Sequence, residues 1–505
     1  MIAVLLFVAL TVVLPLIALA AYPAYGARLP DRDGTPGRTE RCVGAFGIGR
    51  VAASVSAACL RAGPLSGSDG REEPFRPVRR HPAGGGWSFR SGGGSDDRHV
   101  KPQESWSPAT VTLGMTIRSA VVLAAGEGAR LRPLTKHRPK PMLPAATAPI
   151  LEHVFDALVD AGITELTVVV GYGRTHVQSH FGSTYRDASI EYVVQDKQLG
   201  SGHALLAAEA AVSEPCLVLN GDQLVAKGII EDVRDAHDGG AVATLGLIRH
   251  ADVADYGGVI LDDDGDVAEL VERPRDDRSY RLNAGIYAFE PKLFEYLRGP
   301  EPQLTEYSLV DGIANAIDAG EPVRGVESDG LWIDATYPWD LLDVTETLFE
   351  SDADVEHRVS SDARVHESAT VVEPVAISAD CVIGPGAVVG PHVALGENAT
   401  VGANAVVERS VVDADTRVGS NATLVDCVTG RGVRIGAGST VVGGPGDVRV
   451  GDRVHEDEQL GALLADRVRD GGGVTYAPGA MVGADAVVTA GATVRGTIDG
   501  ETEVR

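Results

Sequence analysis

Residues 124–142, AAGEGARLRPLTKHRPKPM, set Gly126 and Gly128 beside Arg130 and bring Lys140 into the same short stretch. They follow the apolar run 119–123, which reads as a buried parallel strand. A glycine-rich basic loop at the end of such a strand offers the backbone N–H groups of Ala125, Gly126 and Gly128 together with the cations Arg130 and Lys140. That combination binds polyphosphate. The chemistry it suits is phosphate transfer on a nucleotide, in which positioning and charge neutralisation do most of the catalysis. Two familiar phosphate loops are excluded: Gly126 and Gly128 lack the third glycine of a dinucleotide fingerprint, and no Gly-Lys-Ser/Thr follows.

With Arg130, Pro139, Lys140 and Pro141 in register, the stretch resembles the GxGxRLxPLTxxxPKPM signature of the sugar-1-phosphate nucleotidylyltransferases. The resemblance continues at Asn220-Gly221-Asp222 and Trp332-Ile333-Asp334-Ala335, and it implies that Asp222 and Asp334 hold Mg²⁺. Two hard oxygen ligands with open positions suit an ion that is shared with substrate phosphates. The segments 192–195 and 198–204 resemble those with which uridylyl- and thymidylyltransferases read a pyrimidine, which implies base contacts from Gln195, Gly200 and Ser201. An amide offers a donor and an acceptor together. On the sugar side the resemblance implies Gly258, Glu272, Arg273 and Asn283, with arginine standing where many relatives carry lysine. That exchange keeps the charge and alters its geometry.

The substrates implied are UTP or dTTP and a sugar 1-phosphate, glucose 1-phosphate foremost. One alternative is a bifunctional enzyme acting on N-acetylglucosamine 1-phosphate as uridylyltransferase and acetyltransferase. A second is a non-catalytic regulatory subunit, which would have lost Arg130, Lys140 or Asp222; all three are present.

The elements that must hold these loops alternate. Apolar runs at 119–124, 165–170, 190–195 and 216–220 predict strands, and amphipathic stretches at 149–161, 201–212 and 226–237 predict helices. Alternation of this kind argues for an α/β domain over 115–350 with a Rossmann-like mixed sheet. Asp263-Asp264-Gly265 marks a hairpin. Ligands in such sheets lie beyond the carboxyl ends of the strands.

From 360 to 500 the period changes to six: Ile377, Ile383, Val389, Leu395, Val401 and Val407, then Val412, Val418 and Leu424, then Ile435 and Val441, and finally Val482, Val488 and Val494. This is a hexapeptide β-helix signal. It resembles the left-handed parallel β-helices, which implies a homo-oligomer, commonly a trimer. Residues 448–478 interrupt the repeat and are expected to form a loop or a docking element. Aligned on Gly436-Ala437-Gly438 with acetyltransferase β-helices, the base position falls on Ser420 and its neighbours on Ala422 and Thr423. Ser420 cannot take a proton near neutral pH, so acetyl transfer is not expected.

The net charge of −27 is concentrated after residue 115, because the first 114 residues are net basic. A body this acidic excludes nucleic acid and anionic membrane as partners. Only six lysines accompany the carboxylate excess, a composition suited to a halophilic cytosol. The five cysteines are scattered without a CxxC pair, so neither a zinc site nor a disulfide framework is indicated. Residues 1–22 form an uncharged apolar run long enough to cross a bilayer. Gly-, Arg- and Pro-rich sequence follows to residue 114 and reads as disordered. The head is expected to be upstream sequence, with translation starting at Met115 and a cytoplasmic product; a membrane anchor or signal segment at 1–22 is the competing expectation.

Overall fold

The computed structural model describes residues 117–250, 253–276, 278–298, 307–351 and 358–505. The apolar segment and the head therefore lie outside the described residues. Among the described residues, no helix is long and apolar enough to cross a membrane.

The first domain carries strands β1 (Ser119–Ala124), β2 (Glu165–Val170), β3 (Ala188–Val194) and β4 (Cys216–Asn220), with helices α1 (Ile150–Asp160), α2 (Arg174–Phe181) and α3 (Ser201–Ala207) between them. Strand β5 (Gln223–Val225) and helix α4 (Lys227–Ala236) precede β6 (Ala243–Ile248), β7 (Gly257–Leu261), β8 (Val267–Glu272) and β9 (Arg281–Phe289). Helix α5 (Leu309–Asp318), strands β10 (Val323–Glu327) and β11 (Trp332–Asp334), and helix α6 (Asp340–Glu350) complete it. The predicted elements are present; the helix expected over 201–212 stops at Ala207 and continues as a 3₁₀ turn, Glu209–Ala211.

The sheet runs β8-β7-β9-β4-β1-β2-β3, with β6 and β10 branching from β9. Strands β1 to β4 are mutually parallel, whereas β9 is antiparallel to β4, so the sheet is mixed. β1, β2 and β4 are almost wholly apolar because both faces of the sheet are covered there, by cores centred on Phe155 and Leu219 on one side and on Leu205, Val218 and Leu245 on the other, whereas β3 alternates and exposes Ser189 and Glu191. Register levels the carboxyl ends: Leu123 pairs with Asn220, Ala124 with Val170, and Val170 with Val194. Loops that are far apart in sequence therefore open on one edge.

The second domain is a parallel β-helix of three sheets with eight, eight and seven strands. Every six-period residue predicted above is buried inside the coil. The interruption is shorter than expected. Only the antiparallel hairpin β12 (Gly446–Val450) and β13 (Arg453–Glu458) leaves the coil, and Ala462–Leu464 resumes it in register with Cys427–Thr429. The 460–478 stretch is regular rung, filled by Ala462, Leu464, Val468, Val474 and Tyr476, and Asp470 at the period position between Leu464 and Tyr476 hid the period.

The domains share a core. On one face of the β-helix the central residue of each three-residue strand points outward and is apolar: Ala394, Val411, Val428, Leu463 and Met481. These pack with Leu341, Leu342, Val344 and Leu348 of α6 and with Leu131, Leu134 and Leu143 of the signature loop.

Candidate active site

The signature loop is wound into three 3₁₀ turns, at Ala129–Leu131, Leu134–Lys136 and Lys140–Met142. Gly128 makes this winding possible. Its φ of +66° is left-handed, and a Cβ there would stand 2.7 Å from the Lys140 Cβ. The Thr135 hydroxyl donates to the Gly128 carbonyl at 2.8 Å, closing the loop on itself. A Cβ at Gly126 would meet nothing within 4 Å, so that glycine has no packing reason and leaves open space above the strand end.

Lys140 is buried, and its Nζ lies 2.6 Å from Asp334 Oδ1 and 3.0 Å from Asp222 Oδ2. Burial alone would depress the ammonium, but the charges and hydrogen bonds of Asp222 and Asp334 hold it above the ordinary lysine range. The two carboxylates are far apart in sequence and meet because β11 pairs antiparallel with β5, setting Asp334 opposite Gln223. The Thr336 hydroxyl donates to Asp334 Oδ2 at 2.8 Å and fixes its second oxygen. One cation thus already bridges two carboxylates at the level strand ends, and the donor set fits a hard divalent ion shared with phosphate oxygens. Among the described residues no group of three or more His, Cys, Asp or Glu is gathered for a metal, so a substrate would have to supply the remaining ligands.

Gln195 follows β3 and is buried. Its Nε2 donates to the Gly200 carbonyl at 3.1 Å and lies 3.0 Å from His203 Nδ1, so both donor positions are engaged inside the protein. Gly200 has φ +101°, and a Cβ would fall 2.4 Å from the Tyr307 carbonyl. The Ser201 hydroxyl accepts from the Leu309 N–H at 3.0 Å, at the start of α5. These three residues therefore hold the loop that precedes α3 in shape.

On the sugar side, β7 and β8 pair Gly257 with Glu272, and the side chain of Asn283 lies against Gly257. Asn283 Nδ2 donates to the Tyr287 hydroxyl at 2.8 Å, and its Oδ1 accepts from the Gly285 N–H at 3.2 Å. Gly258 has a packing reason, since a Cβ would stand 2.8 Å from the Tyr280 ring and 2.9 Å from Pro274. Arg273, with a left-handed φ of 49°, and exposed Arg130 line one cavity of about 830 Å³ together with Tyr256, Thr336, Tyr337 and Asp340.

Sequence reasoning did not find the ionic seam behind the loop. Arg138 Nη2 lies 2.5 Å from Asp413 and 3.7 Å from Asp466 of the β-helix, all three side chains being under 10 % exposed. Lys136 pairs with Glu501 at 2.9 Å, and His137 stands 3.7 Å from Asp485. No local pattern marks these acids, because each occupies an ordinary turn of the repeat.

Residues 119–351 match the nucleotidyl transferase family and residues 371–498 match the GMPPB C-terminal domain. The chain belongs to the nucleotidyl transferase family: it is 34 % identical over 235 residues to the UTP–glucose-1-phosphate uridylyltransferase AglF of Haloferax volcanii, covering 96 % of that protein and 46 % of this chain. It is also 36 % identical over 230 residues to the bifunctional protein GlmU of Methanococcus vannielii, a match to 44 % of this chain and 53 % of that one. The chain thus spans about half the length of the GlmU relatives it matches. A UDP-glucose pyrophosphorylase structure from Acinetobacter baumannii is similar at 22 % identity and a TM-score of 0.42, over 47 % of this chain and 95 % of that one.

Proposed function

We propose that the chain transfers a nucleoside monophosphate from UTP or dTTP to a sugar 1-phosphate, with glucose 1-phosphate as the sugar, and releases pyrophosphate. The observation that carries this reading is Lys140 held between Asp222 and Asp334 in a loop from which a second cation, Arg130, faces the cavity. A phosphate oxygen of the sugar 1-phosphate attacks the α-phosphorus, and the bond to the pyrophosphate oxygen breaks. The nucleophile is already anionic, so no general base is required. Lys140 and Arg130 neutralise charge on the transferring and leaving phosphates, and the open backbone at Gly126 lets N–H groups approach them. Asp222 and Asp334 would hold Mg²⁺, which supplies further charge neutralisation when bound. Gln195 supports pyrimidine choice by shaping the 196–200 loop, while Gly258, Glu272, Arg273 and Asn283 form the sugar side.

Acetyl transfer is not part of the proposal, because Ser420 stands at the base position. A homo-oligomer, a trimer in the β-helix precedent, would use faces of the coil other than the one its own catalytic domain covers. The compartment proposed is the cytoplasm.

The test is pyrophosphate release by the full chain in high salt with Mg²⁺, across five nucleoside triphosphates and a panel of sugar 1-phosphates. Release with UTP or dTTP is expected. Silence across the panel from folded protein would instead favour a non-catalytic regulatory subunit.

A further inference from the structure

The hairpin β12–β13 is the one place where the described β-helix abandons its coil, and it does so beside the active-site cavity. It is anchored twice. Val448 is fully buried in the shared core with Leu460, and the His455 ring packs 4.6 Å from Tyr337 and 5.1 Å from Trp339, on the segment that follows Asp334. So anchored, β13 presents Arg453 and His455 to the 830 Å³ cavity that Arg130, Arg273 and Tyr256 line from the catalytic domain.

Charge makes this wall informative. Arg130, Arg273 and Arg453 line one cavity, and among the described residues none of the three guanidinium groups has an ion pair or a side-chain hydrogen bond. Elsewhere in this acidic chain arginines are commonly paired, as Arg278, Arg281, Arg409 and Arg467 are. The carboxylate in the cavity, Asp340, is occupied by the backbone N–H groups of Thr336 and Tyr337, at 2.8 and 2.7 Å. Like charges brought together repel one another; Glu272 offsets Arg273 in part, and a ligand anion relieves the remaining repulsion. The volume suits a sugar phosphate or a nucleotide. The lining favours the sugar phosphate: of the sugar-side residues Arg273 lines it, with Pro274 beside it and Tyr256 just ahead of β7, whereas none of the base-side residues Gln195, Gly200 and Ser201 does.

We propose that β12–β13 is a wall of the sugar-1-phosphate subsite and that Arg453, reaching across from the β-helix, binds the phosphorylated sugar. The inference rests on the nucleotidyl-transfer reading for the identity of the ligand. It makes the second domain a contributor to substrate affinity as well as a support.

The test pairs calorimetric binding of glucose 1-phosphate and N-acetylglucosamine 1-phosphate to the full chain with pyrophosphate-release kinetics. Arg453→Ala is expected to weaken binding of the preferred sugar 1-phosphate about tenfold and to raise its KM equally. The kcat and the KM for UTP should stay within twofold, Arg453→Lys should recover part of the loss, and Arg434→Ala, on another face of the coil, should change nothing. Unaltered sugar-phosphate affinity in Arg453→Ala overturns the proposal, as does a rise confined to the KM for UTP or a wild-type chain that binds neither sugar phosphate. Binding without turnover in the wild type would refute the nucleotidyl-transfer reading alone, and the calorimetric comparison would still decide this one.

Discussion

The catalytic domain and the β-helix place polar side chains by opposite rules. In the first domain Lys140, Gln195 and Asn283 are buried around the strand ends, where each has partners within the protein and where the proposed site lies. In the β-helix the interior is apolar at nearly every rung, Asp470 beside Tyr476 being an exception, and the buried acids Asp413, Asp426 and Asp466 reach arginines of the signature loop or of the coil's own turns. The first domain is organised around a site, the second around a period. They meet at the loop that carries Lys140, so a change in the periodic domain can reach the chemistry.

The largest expected effect tests the site. Lys140→Ala removes the cation between Asp222 and Asp334 and should lower kcat by a hundredfold or more, about 3 kcal/mol of transition-state stabilisation. A pyrophosphate-release assay that finds near-normal turnover would remove Lys140 from the mechanism.

Next comes the seam. Asp413→Ala leaves Arg138 buried without its nearer partner, and breaking a buried pair costs about 3–5 kcal/mol. Denaturant unfolding should show a loss toward the lower end of that range, because Asp466 at 3.7 Å offsets part of it. Turnover by the remaining folded protein should fall as well, since Arg138 lies two residues from Lys140. A stability loss with unchanged kcat would mean that the seam supports the loop without tuning it.

A matched pair sharpens the contrast between the domains. Leu424→Ala in the coil and Leu219→Ala in β4 each empty a fully buried site, at about 2–5 kcal/mol. Equal losses of stability with a kcat decrease only for Leu219→Ala, three residues from Asp222, is the expected pattern. A smaller contrast lies within the loop. Gly128→Ala must adopt a left-handed φ, worth about 1–2 kcal/mol, and also crowds Lys140. Gly126→Ala should leave the thermal midpoint unchanged and raise the KM for the nucleotide.

A pH dependence comes last. Burial pushes the Asp340 carboxyl up to about 7 against the opposing backbone hydrogen bonds. A folded-state pKa raised above the ordinary value of 3.8 contributes stability below that value and loses it as pH rises through about 7. Asp340→Asn, which can still accept both N–H groups, should flatten the stability profile between about pH 4 and 7; an unchanged slope would show that Asp340 titrates normally.

Much of the fold was legible because its signals are periodic. The alternation of strands and helices over 115–350 and the six-residue spacing after Ile377 both reappear as element order and as buried columns. The misread segment 448–478 shows where periodicity fails. The hairpin replaces period six with period two around Gly451-Asp452, and in the rungs after it Leu464 and Tyr476 keep the phase of Val482 while Asp470 stands between them where an apolar residue was expected. The Val448-Arg449-Val450 alternation beside a Gly-Asp turn was the available signal for a hairpin.

By itself the sequence determined the family, because seventeen residues of loop specify glycines, cations and prolines whose backbone geometry and charge have few other uses. It also determined that a catalytic body precedes a coil. The tertiary structure alone decided that β11 pairs with β5 and so sets Asp334 beside Asp222, that the amide of Gln195 is turned inward, and that Arg138 is neutralised by the other domain. Gln195 turns to partners only five and eight residues away, but the other two are contacts between residues more than a hundred positions apart, set by strand register and by the docking of two cores. Local propensity and spacing carry no record of either.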